Sequence, residues 1–136
     1  MISSPLRRTA TRARIAYYRA LSTTWFTGAP PQLHSPVLVL GPGRVQAIGA
    51  TIGWWPTADL LDGHVHIHAG APETEIVIGQ GSNLNNCAKL LAEGPGIVIG
   101  RSVLVGRNTE IYDSDRHDLD PDHRDDGTPK MGAVVI

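Results

Sequence analysis

The chain of 136 residues has a single cysteine, Cys87, so no internal disulfide can hold it and its thiol content gives no hint of a stapled, secreted fold. Aromatic residues are also scarce, at 5%. A conventional globule fills its core with bulky rings, whereas this chain is rich in Gly (15 residues) and Pro (10 residues). That balance suits a core of stacked Val, Ile and Leu with frequent turns. No apolar run approaches the roughly 18 residues needed to cross a bilayer, and no charged stretch followed by an apolar one marks a secretory signal. Acid is missing from the first part of the chain. Before Asp59 there are six arginines (Arg7, Arg8, Arg12, Arg14, Arg19 and Arg44) and no Asp or Glu; from Asp59 onward 13 acidic residues oppose six basic ones, a balance of −7. The basic end is therefore a separate element, and the acidic remainder is unsuited to nucleic acid. At this length one domain is expected.

What is present falls into two segments. Residues 1–31 comprise a basic helix and a linker. The pattern predicts the helix over 5–26, PLRRTATRARIAYYRALSTTWF, with Ser4 as cap and Pro5 in the first turn. Leu6, Ala10, Tyr17, Leu21 and Trp25 recur at helical spacing, with the arginines mostly elsewhere. Such a helix packs on its own domain or on a neighbouring subunit, or it lies on an anionic membrane or grips a polymer. An Arg-rich, acid-free start also fits an organelle transit peptide, against which Tyr17, Tyr18 and Trp25 argue. Gly28 to Pro31 reads as the linker. From 32 to 136 the pattern changes to short apolar strands broken by glycine: PVLVLGPG, VQAIGATIG, HVHIHAG and EIVIGQG. Trp54-Trp55-Pro56 interrupts the series, either as a surface loop over the open end of a repeat or as an aromatic platform for a sugar ring.

The strongest signal is a six-residue rhythm. Aliphatics fall at Ile78, Leu84 and Leu90, and again at Ile99, Val105 and Ile111; the turn Glu93-Gly94-Pro95-Gly96 lengthens the gap between the two triplets. Ile78 and Ile99, which open the triplets, are each followed by Gly. Fixed self-similarity marks a repeat architecture, and a period of six marks a β-helix in which three short strands make one triangular coil. The next hexad should open with an aliphatic at 117. His117 stands there instead, among carboxylates.

These repeats resemble the hexapeptide-repeat acyltransferases, which fold as left-handed parallel β-helices; the nearest in pattern are the maltose and galactoside O-acetyltransferases and the O-acetyltransferases of surface polysaccharides. The likeness covers Ile78 to Arg116 and, more loosely, the strands from Pro36. In that family the repeat breaks into an extruded loop carrying a histidine, as SD-x-H or H-x-L-D-P-x-x-R. Both forms overlap here, in Ser114-Asp115-Arg116-His117 and in His117-Asp118-Leu119-Asp120-Pro121-Asp122-His123-Arg124. The fold so implied is all-β: a left-handed parallel β-helix over 32–136 with an N-terminal helix and a histidine loop at 113–131. The resemblance implies acetyl transfer from acetyl-CoA to a sugar or polysaccharide hydroxyl, with His117 as general base. Imidazole titrates near the working pH, and such a base contributes typically ~10² to 10⁴-fold. A carboxylate or carbonyl should orient the ring, with Asp113, Asp115 and Asp118 all open. By the same resemblance Asn85, seven residues after Ile78, contacts acceptor or thioester, and Glu93 lies on the turn eight residues later. Asp115, in the SD-x-H form, joins Asn85 and Glu93 as a substrate-binding residue. Alternatively Asn85 is a side-chain ladder at a corner and Glu93 a solvated turn residue. His117 is expected at a coil corner, facing Asn85. The family works as homotrimers with sites at subunit boundaries, so a homotrimer is expected here, cytoplasmic, either free or peripheral at the inner membrane face through the basic helix, with no metal.

Family members continue past the histidine loop with at least two further coils that hold coenzyme A. This sequence reaches only Gly132-Ala133-Val134-Val135-Ile136, which implies a truncated or frameshifted version of a longer enzyme, or a fragment, and leaves the cofactor-binding residues unassigned. Two other functions compete. His64, His66 and His68 alternate along one strand and share a face; with His117 and His123 they invite a metal-dependent hydratase like the γ-class carbonic anhydrases, although three side chains spread over about 13 Å cannot close one zinc shell. A non-catalytic β-helical interaction module is the third reading. The acceptor, sugar hydroxyl or amine, is not written in the sequence, because specificity sits in variable loops.

Overall fold

The computed structural model describes residues 4–136, so Met1 to Ser3 of the expected N-terminal segment lie outside the described residues. Twelve strands of two to five residues follow one helix, among the described residues. They are β1 Gln32–Leu33, β2 Val37–Leu40, β3 Arg44–Gln46, β4 Thr51–Ile52, β5 Val65–Ala69, β6 Glu75–Ile78, β7 Asn83–Leu84, β8 Lys89–Ala92, β9 Gly96–Ile99, β10 Leu104–Val105, β11 Glu110–Tyr112 and β12 Val134–Val135. All strand pairings are parallel, and every third strand joins the same sheet. The first sheet runs β1-β4-β7-β10, the second β2-β5-β8-β11 and the third β3-β6-β9-β12. The chain thus visits three sheets in turn and makes four circuits.

The six-residue rhythm explains the register. A strand alternates its side chains, so every second position points inward and the same position of the next circuit lies directly beside it. The inward ladders are Leu33, Ile52, Leu84, Val105 in the first sheet, Val39, Ile67, Leu90, Ile111 in the second and Val45, Ile76, Ile97, Val134 in the third. Within the two middle circuits all six of these side chains are fully buried, each burial contributing roughly 1.5–3 kcal/mol. Between strands the chain turns through left-handed residues, and these keep the same period: Gly81 (φ 77°) and Cys87 (φ 60°), then Ser102 (φ 57°) and Asn108 (φ 58°). The turning position therefore recurs even where glycine does not fill it.

The helix, α1, spans Pro5–Leu21 rather than running to 26. It stops because the next residues have better partners. The Ser22 hydroxyl donates to the Tyr18 carbonyl (2.9 Å) and accepts the Val39 N–H (3.0 Å), and the Thr23 hydroxyl accepts the Gly41 N–H (3.0 Å). Thr23 and Thr27 N–H then donate to the Val39 and Val45 carbonyls, so 22–27 lies along the free edge of the first circuit. Phe26 is buried over the core there, and Trp25 packs beside it. An open strand edge is a template for aggregation, and this segment covers it. The face of the helix set against its own domain is not the apolar stripe. Arg7, Thr11, Arg14, Ile15 and Tyr18 are half-buried, whereas Leu6, Tyr17 and Leu21 of the expected apolar stripe are 78%, 61% and 50% exposed. Arginine can take such a position because its stem packs while its head bonds carbonyls: Arg14 donates to the carbonyls of Leu60 (2.6 Å) and Gly63. No helix among the described residues is long and apolar enough to cross a membrane.

Two insertions break the circuits. Residues 53–64 separate β4 from β5, and residues 113–133 separate β11 from β12. The first does not cover an end of the stack, as the sequence suggested for Trp54-Trp55-Pro56. It runs along a flank, tied to the third circuit by Asn86, to the fourth by the Asp59–Arg107 ion pair (2.5 Å) and to α1 by Arg14.

Candidate active site

The 113–133 insertion is built on a buried carboxylate. Ala69 pairs with Ala92 along the second sheet, and Asp113 takes the next place in that ladder, only 3% exposed. Its oxygens accept the N–H groups of Glu93 (2.7 Å), Gly94 (3.0 Å) and Gly96 (2.8 Å). A buried carboxylate is tolerated when hydrogen bonds replace its water, and three main-chain donors do so here. Gly96 must be glycine: its φ is 113°, and a Cβ there would lie 2.1 Å from the Glu75 carbonyl. Asp113 is thus committed to holding the 93–96 turn and is removed from the three aspartates that could orient His117.

Above this anchor the loop closes into a narrow neck. Ser114 and Met131 form an antiparallel bridge, Asp115 N–H donates to the Lys130 carbonyl (2.9 Å), and Gly132 N–H donates to the Asp113 carbonyl (2.8 Å). Met131 packs on Gly94, where a Cβ would come within 2.8 Å of its side chain. Arg116, in a left-handed conformation (φ 65°), reaches back to Glu93 (3.4 Å) and lies over the Tyr112 ring. Glu93 is therefore brought to the residue that precedes His117, but as an ion-pair partner.

His117 itself is exposed, and its ring has no hydrogen-bond partner among the described residues. The Asp118 carboxylate is turned inward to its own loop, accepting the Asp120 N–H (2.9 Å), and Asp120 in turn caps the short 3-10 turn Pro121–His123. Asp115 is exposed and lines a shallow groove of about 330 Å³ with Tyr112, Ser114, Lys130 and Met131. Of the three aspartates, its carboxylate alone has no bonding partner among the described residues.

Asn85 is not across from His117 in this chain, which corrects the expected facing pair. Asn85 precedes β8, while His117 follows β11, and these strands are parallel neighbours in the second sheet. The two residues thus sit at opposite ends of that sheet. Asn85 instead lines a cleft of about 470 Å³ with Trp54, Asn83, Leu104, Val105 and Gly106. Its Oδ1 accepts the Asn86 N–H (2.7 Å), leaving its amide nitrogen toward the cleft wall.

The residue that sequence reasoning missed is its neighbour. Asn86 is 1% exposed, accepts the Trp54 N–H (3.1 Å) and donates to the carbonyls of Trp54 (3.2 Å), Thr57 (3.2 Å) and Ala58 (2.9 Å). It folds the 53–64 insertion and presents Trp54, 53% exposed, to the Asn85 cleft. The signal was available: Leu84, Asn86 and Ala88 are alternate residues and all point inward, which puts an amide among aliphatics.

His66 and His68 point outward from β5, opposite the buried Val65, Ile67 and Ala69. His64 stacks on Tyr18 of α1, with ring centroids 4.5 Å apart. Burial pushes the His64 pKa below its ordinary value, helped by the positive Arg14 and Lys89. Burial likewise lowers the pKa of His66, with its histidine neighbours and Lys89 adding to the effect. Neighbouring rings are 6.1 and 6.5 Å apart along this row, and no group of three or more His, Cys, Asp or Glu side chains able to hold a metal ion occurs among the described residues. The chain matches no family model, no curated protein and no solved structure.

Proposed function

We propose that this chain is built for acyl transfer, moving an acetyl group from acetyl-CoA to a sugar or polysaccharide hydroxyl with His117 as general base. The observation that carries the reading is the position of His117. It falls where the six-residue rhythm requires an aliphatic, on a loop extruded from the second sheet and anchored by Asp113, with its ring unengaged. A structural histidine would be paired or packed, as His64 is. In the proposed step the imidazole takes the hydroxyl proton, the oxygen attacks the thioester carbonyl, the C–S bond breaks, and the imidazolium returns the proton to the departing thiolate. Asp115 is the residue best able to orient the ring, and the Arg116–Glu93 pair fixes the backbone beside it.

The parallel β-helix, left-handed by resemblance, is part of this proposal; three sheets visited in strict rotation and left-handed corners six residues apart support the coil. So is the homotrimer. Asn85 and His117 lie at opposite ends of one sheet, an arrangement that suits a site shared between two subunits, with Asn85 and Trp54 of one copy facing His117 of the next. A cytoplasmic compartment follows from an acetyl-CoA donor.

The test is release of coenzyme A thiol from acetyl-CoA in the presence of sugar acceptors, comparing the wild type with His117→Ala. Retention of the full rate by His117→Ala sinks the assignment. Sizing in solution tests the shared site, and a well-folded monomer with full activity overturns it.

A further inference from the structure

The first half of α1 forms one wall of a second cleft, of about 260 Å³, whose other walls are His34 at the end of β1 and Trp55 and Leu60 of the 53–64 insertion. Three of its lining residues are arginines, Arg7, Arg8 and Arg12, and none is acidic. Every other arginine of the helix is engaged: Arg14 with the Leu60 and Gly63 carbonyls, and Arg19 over the Trp25 ring (5.1 Å). Arg7 lies on the Trp55 ring, 3.8 Å from its centroid. Arg8 and Arg12, one helical turn apart, have neither ion pair nor hydrogen bond among the described residues. No carboxylate can relieve them from nearby sequence, because none precedes Asp59. Asp59 itself is turned away to Arg107, and the exposed Asp62 is not part of the lining.

Like charges gathered in a concave site without counter-charge cost stability, and such sites concentrate anions. The walls are also fixed in place. Arg14 ties the helix to the insertion on one side of Leu60, and Asn86 ties the insertion to the third circuit on the other. We infer that this cleft is a binding site for a phosphoryl group, held by Arg8 and Arg12 and completed by Arg7 and the Thr11 hydroxyl. Guanidinium forks match a phosphate with several oxygens better than a single-charge carboxylate does. The volume exceeds that of the phosphoryl group, so room remains for the group that carries it, against Trp55 and Leu33. That group is either a soluble phosphate ester or a phospholipid headgroup, reached with the exposed flank of α1 toward the lipid. The inference uses none of the residues assigned to acyl transfer, and His117→Ala is expected to bind normally.

The test titrates the full chain by calorimetry with inorganic phosphate and with glucose 1-phosphate, and by sedimentation with vesicles of phosphatidylglycerol in phosphatidylcholine. Wild type is compared with Arg8→Gln/Arg12→Gln and with Arg44→Gln/Arg101→Gln, which removes the same charge outside the cleft. Neither Arg8 nor Arg12 has a partner among the described residues, so the first double variant should fold, and circular dichroism checks it. The expected result is saturable one-to-one binding that weakens at least about tenfold in Arg8→Gln/Arg12→Gln, stays near wild type in the control variant and falls with salt. Saturation by phosphate or the sugar phosphate identifies a soluble ester; cleft-dependent binding of vesicles alone identifies a headgroup. Absence of saturable binding to every probe overturns the inference, and so does equal loss in the two double variants.

Discussion

The two insertions leave the same repeat by different means. Residues 53–64 are gripped from inside: a buried amide, Asn86, bonds four main-chain groups, and Arg14 and Arg107 tie down the far end. Among the described residues, 113–133 are held where they leave the sheet, by the Asp113 carboxylate, the Ser114–Met131 bridge and the Arg116–Glu93 pair; beyond the neck, almost every residue is exposed. A gripped loop presents a fixed wall, and a loop held at its neck presents a side chain that something else must meet. His117 is on the second kind. The comparison therefore separates a fixed wall carrying Trp54 and Trp55 from a histidine that, on the proposed reading, would meet the other half of its site from outside the loop.

The largest expected effect is on activity alone. His117→Ala should lower acetyl transfer by about 10² to 10⁴-fold while leaving the urea midpoint unchanged, since an exposed, unbonded ring contributes no stability. If stability fell with activity, the loop would be gripped after all and the contrast would fail.

Next come the two anchors. Asp113→Ala leaves three N–H donors without an acceptor, that of Gly96 buried and those of Glu93 and Gly94 part-buried, so a loss of roughly 3 kcal/mol is expected in urea unfolding, at about 1–3 kcal/mol for the buried donor and less for the others. Asn86→Ala strands carbonyls that have some access to water, and roughly 2 kcal/mol is expected. The two losses should differ in reach. Hydrogen exchange in Asn86→Ala should quicken across 53–64 and leave the neck of the other loop protected, whereas Asp113→Ala should loosen the 93–96 turn and the 114–131 bridge together.

These anchors also mark where sequence reasoning stops. The strands from Pro36, the hexad ladders and the place of the histidine loop were legible, because period six and alternation are local properties. Even the exchange of an aliphatic for His117 showed as a break in the count. The anchors were not, since a carboxylate or amide reveals its task only when the partner circuit is stacked upon it. Asp113 read as one of three equal acids, and Asn86 was overshadowed by Asn85. The helix was legible only in part: spacing marked its existence and the stripe of Leu6, Tyr17 and Leu21 but left its partner open, whereas the face set against the domain is that of Arg14, Ile15 and Tyr18. Carbonyls of the insertion that sought donors decided that choice, and no pattern within α1 reports them.

Acid should loosen the gripped side first. The folded pKa values of His64 and His66 lie below that of an unfolded histidine, with burial as the first cause. The unfolded chain then binds more protons, so stability should be level above about pH 7 and decline as pH falls through and below roughly 6.5. A His64→Gln/His66→Gln double variant should flatten that decline. Protonated His64 sits against Arg14, so the same acidification should speed exchange in 60–64 before it affects the neck at 114–131. Earlier exchange at the neck would reverse the comparison.

The smallest effect expected is at the outermost tie. Asp59 and Arg107 form an ion pair in which both side chains remain well exposed, 32% and 44%. Water screens such a pair and side-chain entropy opposes it, so Arg107→Gln should cost less than about 1 kcal/mol. The pair still joins the gripped insertion to the fourth circuit, the same circuit from which the histidine loop departs. If the two insertions are energetically separate, Arg107→Gln combined with Asp113→Ala should be additive within about 0.5 kcal/mol. A larger interaction would mean that the fourth circuit transmits strain from one loop to the other, and that the wall carrying Trp54 and the loop carrying His117 respond as one unit.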